Sequence, residues 1–432
     1  MGIVLPFRGL KPSLNCKQFL PGAPGPTLKW DEFQEHLQKT SLQAVGIELA
    51  RRVLLEAMEQ EADDICGGHK GRHLISKRRA SRHGYAPCSV SYGAARMELV
   101  RPRVRAADKE IPLSTYVAAQ RNGLSPATVL EACLGGSSHR RFPRIACRLQ
   151  GTEAGFRQLS KSTINRRFIR AAEKVAHELR TRRLEGRRYV ALYLDGVVEQ
   201  RHHLIAVLGL TMDGEKHVLG LREGSSESGE VCRELLTDLL SRGLDVGNGF
   251  LAIIDGGKGL GAALRAVFGH KVLIQRCRAH KIRNVLEKVP ECEREHLKSH
   301  LQRAWKEPDA RQAKRLLELI ARNLDARGRR RAARSLREGL SDTLTCNFLG
   351  LPTDSDLTRS LVTTNPIESL FSRSNEQSRR VCRWRGGRML LRWTALSLAE
   401  SERSLSRIED DVGLQQLALA LEQRAAERKA AA

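Results

Sequence analysis

The sequence predicts a multidomain α/β protein with a mixed β-sheet in its central part and mainly helical regions on either side. Residues 189–194 and 250–254 are short apolar runs, each followed within two residues by glycine, a pattern typical of buried strands. Residues 203–212 and 217–222 predict two further strands, joined at Asp213-Gly214 by a tight hairpin turn. At 432 residues the chain is too long for one ordinary core, so two or more domains are expected.

Alternating helices and strands follow the predicted hairpins. Helices are expected over about 228–242 and 258–268, and a strand over 272–275. Three hairpin strands followed by this βαβα order are typical of a ribonuclease H-like domain. From 278 to about 350, helical periodicity on a strongly basic surface predicts an all-helical insertion.

The flanking regions are predicted to be mainly helical and to face DNA. Residues 28–65 have apolar positions at helical spacing, and a basic stretch at 70–83 precedes a hairpin of strands 88–92 and 97–104. The expected divisions are 1–27, a disordered arm; 28–123, the N-terminal helical region with the basic hairpin; 124–187, a helical unit that is a candidate helix-turn-helix; 188–290, the first part of the catalytic core; 291–360, the helical insertion; 361–410, the second part of the core with a glutamate helix; and 411–432, a C-terminal helical tail.

Charge and cysteine usage bound the function. Lys and Arg number 74 against 49 Asp and Glu, a formal net charge of +25, which predicts a polyanionic partner, nucleic acid before a membrane surface. The apolar stretch at the N-terminus is too short and too broken for a signal peptide or membrane span. The ten cysteines lack the dense spacing of a secreted disulfide framework. We therefore expect a cytoplasmic, nucleoid-associated protein with reduced thiols.

Two aspartates follow the apolar runs. Asp195 and Asp255 come directly after strands that should lie side by side, and ligands gather beyond such strand ends. Mg²⁺ prefers oxygen ligands, and two ions about 3.5–4 Å apart can clamp both reacting oxygens of a phosphodiester. The pattern favours a metal-dependent phosphoryl-transfer site with two Mg²⁺ (or Mn²⁺) ions. The alternative for each aspartate alone is a turn or strand-end cap, as at Asp213.

A third carboxylate is needed, and Glu368 is a candidate at the start of a helix. Asn365 is predicted to cap that helix, Pro366 suits its first turn, and the helix dipole favours a carboxylate there. A purely structural glutamate has the same features. On pattern alone the other candidates remain Asp354, Asp356 and Glu376.

The choice between these candidates rests on six motifs between residues 193 and 369, within a family resemblance that extends from about residue 80 to about 405. They are YLDG (193–196), KHVLGL (216–221), LLSRGL (239–244), IDG (254–256), QRCRAHKIRNV (275–285) and TNPIES (364–369). Together they resemble a bacterial insertion-sequence transposase of the Mutator type. The resemblance implies that Asp195, Asp255 and Glu368 bind the catalytic metals in a ribonuclease H-like fold with a helical insertion before the glutamate. Many members carry a histidine where Gly257-Lys258 follows Asp255-Gly256 here.

Cys277 and His280 belong to the same family pattern. We expect them to support the active site, with His280 able to hydrogen-bond a carboxylate or a DNA phosphate. The alternatives are a catalytic thiol and a zinc site, but zinc needs four ligands and no suitably spaced partner pair follows nearby. A second zinc candidate, outside the family motifs, consists of Cys66, His69, His73 and Cys88.

One candidate DNA-binding helix starts at Ser160, which is predicted to be its N-cap. Its first turns are expected to expose side chains suited to phosphates and base edges. These residues are Lys161, Asn165, Arg166 and Arg167. A helix-turn-helix recognition helix and a linker helix with a solvated basic face both stay open.

A second basic segment follows the glutamate helix, and in it arginines alternate with tryptophans. Its proposed DNA-contacting residues are Arg383, Trp384, Arg385 and Arg388, with Arg379, Arg380, Arg392 and Trp393 nearby. Arginine beside aromatic rings suits a distorted or single-stranded DNA end. A solvated basic face with two core tryptophans is the alternative.

The predicted function is that of a DNA transposase, which cleaves the ends of its insertion sequence and joins the 3′-hydroxyl ends to target DNA. The expected partners are double-stranded DNA, as terminal inverted repeats and target, and a second copy of the chain in a homodimer or larger synaptic complex. The alternatives are a ribonuclease H-like nuclease or resolvase without strand transfer, and an inactive transposase-derived DNA-binding regulator.

Overall fold

The computed structural model confirms a multidomain protein of mixed α/β type, and the chain divides into two compact units on either side of the Ala171–Ala172 bond. No helix in the described part of the chain is long and apolar enough to cross a membrane. The predicted arm at 1–27 and most of the basic stretch, 70–79, lie outside the described residues. The structure describes 42–68, 80–107, 109–121, 123–149, 156–199, 202–224, 229–247, 249–379, 381 and 383–430.

A long helix on a β-hairpin forms the centre of the first unit. The hairpin predicted around Gly93 is confirmed, with strands longer than expected, and Gly93 has the positive φ of +53° that favours glycine in such a turn. Met58 of the helix is buried against Val90 and Met97 of the hairpin. The elements are α1 (Leu42–Cys66), β1 (Ser81–Tyr92), β2 (Ala95–Ala106), β3 (Lys109–Ile111), α2 (Ser114–Arg121), α3 (Pro126–Leu134), α4 (Phe142–Leu149), β4 (Phe156–Gln158) and α5 (Lys161–Thr181), which continues into the second unit.

The second unit contains a five-stranded mixed sheet. Three antiparallel strands formed by consecutive hairpins are followed by two parallel strands, in the order β7-β6-β5-β8-β9. The strands are β5 (Tyr189–Glu199), β6 (His202–Thr211), β7 (Lys216–Gly224), β8 (Phe250–Ile254) and β9 (Val272–Arg276), and the crossover helices are α6 (Gly229–Ser241) and α7 (Lys258–Phe268). All five residues of β8 are buried, as its unbroken apolar run predicts.

Helices cover both faces of this sheet. On one face, Leu192 and Ala252 pack in a single core with Leu236 of α6 and Leu264 of α7. On the other face lie helices from the C-terminal part of the chain. They are α14 (Asn365–Ser378), α15 (Gly387–Glu402) and α16 (Asp411–Ala430).

A helical bundle with its own core separates β9 from α14, as predicted. Val285, Leu301, Leu317 and Leu336 are buried together in it. Its helices are α8 (Arg278–Leu286), α9 (Glu291–Trp305), α10 (Ala310–Ala326), α11 (Arg330–Arg337), α12 (Thr345–Phe348) and α13 (Asp356–Leu361).

Candidate active site

The parallel pairing of β5 with β8 brings Asp195 and Asp255 to the same level. Tyr193 pairs with Ile253, so each aspartate lies two residues beyond a matched pair. The sequence prediction that Asp195 ends its strand is wrong. β5 continues to Glu199, and Asp195 pairs with Ala206 of β6, because the β5–β6 hairpin extends past the end of β8.

Like charges surround Asp195. Burial raises its pKa to about 7, with further contributions from the negative charges of Asp255 and Glu368. Its Oδ1 accepts a hydrogen bond from the backbone N–H of Gly196 at 2.9 Å, and Asp255 Oδ1 accepts one from Gly257 at 2.8 Å. Asp195 therefore interacts electrostatically with both of the other predicted carboxylates.

Glu368 lies in the first turn of α14, as predicted, but the N-cap is Thr364, not Asn365. Asn365 already has a place in the helix, and Pro366 follows it in the first turn. The Thr364 side chain makes no capping bond to the backbone. Its hydroxyl instead donates to Oε1 of Glu368, which ties the carboxylate to the start of its own helix.

Cys277 and His280 lie beside this hydroxyl. The Thr364 oxygen is 3.3 Å from Cys277 Sγ and 3.3 Å from His280 Nδ1, and His280 Nδ1 is 3.7 Å from Glu368 Oε1. Among the described residues, side chains of metal-binding type form one group of three whose ligand atoms all lie within 4.8 Å of one another. Its members are Cys277, His280 and Glu368. Glu368 in this arrangement faces the Cys277–His280 pair.

The hydrogen bond between Cys277 and His280 shifts the pKa of both groups. This bond is the main cause of the raised pKa of His280. Burial alone would raise the pKa of Cys277, but hydrogen bonds from His280 and Thr364 lower it. Both shifts favour an imidazolium beside a thiolate. Of the other zinc candidate, His69 and His73 lie outside the described residues.

Arg276 is a site residue that sequence reasoning missed. It is 8% exposed at the end of β9, and its Nη1 donates to the Glu338 carbonyl at 2.8 Å. Its guanidinium packs against the α-carbon of Gly256, directly after Asp255, where a Cβ would overlap it. Its buried Nε has no hydrogen-bond partner among the described residues. The sequence signals were the place of Arg276 in the QRCRAHKIRNV motif and the glycine after Asp255.

The predicted DNA-binding helix α5 begins after Ser160, whose hydroxyl accepts from the Thr163 N–H at 3.2 Å, as its predicted capping role requires. Lys161 and Arg166 are exposed and Asn165 is half-buried. The prediction of exposure is therefore not met for Asn165 or for Arg167, which is also half-buried. The Arg167 guanidinium packs over Gly123, where no side chain competes for the space. β4 stands between α4 and α5, so the short turn of a helix-turn-helix is not formed.

In the second basic segment the arginines and the tryptophans differ in solvent exposure. Arg383, Arg385 and Arg388 are exposed. Trp384 and Trp393 are only 9% and 8% exposed, so their rings belong to the interior and leave little surface for stacking on a base. Nearby, Arg392 pairs with Glu173 at 3.0 Å, and Arg380 lies outside the described residues.

The chain is similar in sequence to known transposases. A family model described as "Transposase, Mutator family" matches residues 27–402. The chain is similar to the transposase for insertion sequence element IS256 in transposon Tn4001 of Staphylococcus aureus, with 27% identity over 366 residues, covering 82% of this chain and 88% of that protein. It is also similar to the transposase for insertion sequence element IST2 of Acidithiobacillus ferrooxidans, with 32% identity over 231 residues, covering 52% of this chain and 74% of that protein.

Proposed function

The chain belongs to the Mutator family of transposases, and on that premise we propose that it cleaves the ends of an insertion sequence and joins the 3′-hydroxyl ends to target DNA. Three antiparallel strands followed by two parallel ones support a ribonuclease H-like catalytic core with a helical insertion. The observation that carries the proposal is the meeting of Asp195 and Asp255 at one level of the sheet, with Glu368 in electrostatic range.

The residues present fit a pair of divalent cations. Burial and the negative charges of Asp255 and Glu368 raise the pKa of Asp195, so bound positive charge would favour its ionisation, and oxygen is the ligand type that Mg²⁺ or Mn²⁺ prefers. Asp195, Asp255 and Glu368 would hold the ions. When bound, such ions supply Lewis acidity and charge neutralisation for in-line displacement at phosphorus.

The chain's own groups hold these carboxylates in position. The N–H groups of Gly196 and Gly257 each donate to one aspartate, and Thr364 donates to Glu368. Ligands oriented in this way lose less freedom when they engage a substrate. Cys277 and His280 border Glu368 and carry the supporting role.

DNA is held by basic side chains outside the site. Lys161, Arg166, Arg383, Arg385 and Arg388 are exposed and suit phosphate contacts with terminal inverted repeats and target DNA in the nucleoid. Two element ends must be handled together, so a homodimer or larger synaptic complex is part of the proposal.

Strand transfer of a labelled element-end duplex into plasmid DNA, with Mg²⁺ or Mn²⁺, tests the function. We expect joined product from the wild type and none from Asp195→Ala, Asp255→Ala or Glu368→Ala. Glu376→Ala is the matched control, because Glu376 is exposed on the same helix as Glu368 and should keep activity. Cleavage without joining would favour the nuclease, and metal-independent binding without chemistry would favour the regulator.

A further inference from the structure

Helix α11 in the helical insertion has one buried and one strongly basic face. Ala332, Ala333 and Leu336 are fully buried against the bundle core. The opposite face is exposed and consists of Arg330, Arg331 and Arg334. Within the described part of the chain these three guanidinium groups have neither an ion-pair nor a hydrogen-bond partner.

Arginines at the two ends of the same helix are paired, which makes the three exposed ones distinct. Arg329 bonds Glu293 at 2.7 Å, and Arg337 bonds Asp325 at 2.6 Å. Acidic partners are therefore available beside this helix, and they engage the arginines that flank the exposed face.

The positions of these positive charges are unfavourable for the stability of α11. Arg330 and Arg331 occupy the first turn of α11, where the helix dipole disfavours positive charge, and no side chain caps that end. Arg330 and Arg334 are four residues apart, a spacing at which like charges repel. A bound anion relieves both effects, since it would accept from the guanidinium groups and interact favourably with the helix N-terminus.

Arg276 connects the C-terminal end of α11 to the loop that follows Asp255. Arg276 lies between the two, packed against Gly256 after Asp255 on one side and against Gly339 on the other. The Glu338 carbonyl, at the C-terminal end of α11, accepts from Arg276 Nη1 at 2.8 Å and from Lys281 Nζ at 2.5 Å. The end of α11 is thus fixed beside the Asp255 loop, and the arginine face extends away from it.

We propose that Arg330, Arg331 and Arg334 bind consecutive backbone phosphates of the DNA duplex whose scissile phosphate lies at the carboxylate site. This inference rests on the proposed function for the identity of the duplex. A planar guanidinium can donate two hydrogen bonds to one phosphate, which suits arginine to the contact. With a helical rise of about 1.5 Å per residue, the face reaches about 12 Å from Glu338. At about 3.4 Å per nucleotide along a strand, this distance corresponds to roughly three to four base pairs.

Binding of a fluorescein-labelled duplex, measured as a function of salt concentration without divalent metal, tests the proposal. The test variant is Arg330→Ala/Arg331→Ala/Arg334→Ala. Its matched control is Arg311→Ala/Lys314→Ala/Arg315→Ala, which removes the same charge from exposed positions of α10 in the same bundle. Each lost phosphate contact should reduce the salt dependence, the slope of log K against log[salt], by about 0.9. We expect a reduction of about 2 to 3 for the α11 variant and little change for the control.

Equal slopes for the two variants, or an α11 variant that binds like wild type, would overturn the proposal. A third variant, Arg330→Lys/Arg331→Lys/Arg334→Lys, keeps the charge and should retain most of the slope, which separates charge from any folding defect. If the wild type itself binds no duplex, the proposed function fails. If the wild type binds but α11 makes no difference, only this inference fails.

Discussion

The hydroxyl group of Thr364 donates a hydrogen bond to Oε1 of Glu368, four residues further along the chain. Thr364 is fully buried, and its oxygen also contacts Cys277 and His280. One hydroxyl therefore links the Cys277–His280 pair of α8 to the carboxylate of α14, and the orientation of Glu368 depends on it.

Thr364→Val removes this hydroxyl with little change of volume. We expect strand cleavage to fall by about 10- to 100-fold, as for other residues that orient a metal ligand, with a higher Mg²⁺ concentration for half-maximal activity. Thr364→Ser keeps the hydroxyl and should retain most activity. A Thr364→Val variant with a wild-type Mg²⁺ titration would show that the bond does not position Glu368.

Gly256→Ala should disturb the Asp255 loop. Gly256 has φ +107°, and an added Cβ would overlap the buried guanidinium of Arg276. Such strain costs about 1–3 kcal/mol, so thermal unfolding should occur at lower temperature and cleavage should weaken. Gly261→Ala is the control, because its nearest contact is an ordinary 3.5 Å and α7 gains about 1 kcal/mol from alanine. Equal melting temperatures for the two variants would contradict the prediction.

The stability contributed by Glu402 should depend on pH. Its Oε1 accepts from Arg182 and from the Val218 N–H, each at 3.0 Å. Burial alone would raise its pKa, but hydrogen bonds from His217 and Arg182 lower it below 4.5. The folded state therefore binds the proton less readily than the unfolded state, and the stabilisation is complete above about pH 4.5 and disappears as pH falls through the folded-state pKa.

Unfolding of Glu402→Gln by urea at several pH values measures this effect. We expect the variant to be less stable by about 1–3 kcal/mol near neutral pH and the difference to shrink in acid. Glu400→Gln should change stability by less than about 0.5 kcal/mol, since among the described residues Glu400 makes only a surface pair with Arg403. A difference between wild type and Glu402→Gln that is constant with pH would refute the assignment.

Substitution of Trp393 should affect stability, whereas substitution of Arg388 should affect DNA binding. Trp393→Ala removes a buried ring and should lower the free energy of unfolding by about 3–5 kcal/mol. Arg388→Ala removes an exposed guanidinium and should weaken duplex binding at low salt without changing unfolding. Stable protein with impaired DNA binding in Trp393→Ala would instead favour the stacking role that the sequence left open.

Elements with strong local signals could be predicted from the sequence. The apolar run of β8 and the helix α7 have the bounds that were expected, since glycines and a change of periodicity mark their ends. That Asp255 lies at the same height in the sheet as Asp195 also followed from the prediction that their strands are adjacent. Local composition and strand order were enough in these cases.

The remaining features depend on groups that are distant in sequence. Arg276 donates a hydrogen bond to the Glu338 carbonyl and packs against Gly256 and Gly339, and no local sequence pattern predicts such packing. Arg167 resembles any exposed helical arginine until Gly123 leaves space for it. The sequence favours Asn365 as the N-cap of α14 because asparagine is common at that position. It does not indicate Thr364, whose hydrogen bond goes to the side chain of Glu368.

The order of the strands has a consequence for assembly during synthesis. β5, β6 and β7 pair through short hairpins, whereas β8 must close a longer loop to reach β5, and α14 arrives only after the whole helical insertion. Local pairings form before those that close long loops. We therefore expect the Asp195–Asp255 half of the site to form while Glu368 is still missing. A nascent or truncated chain that ends before α14 would lack Glu368 together with the helices that cover one face of the sheet, and its carboxylate set would be incomplete.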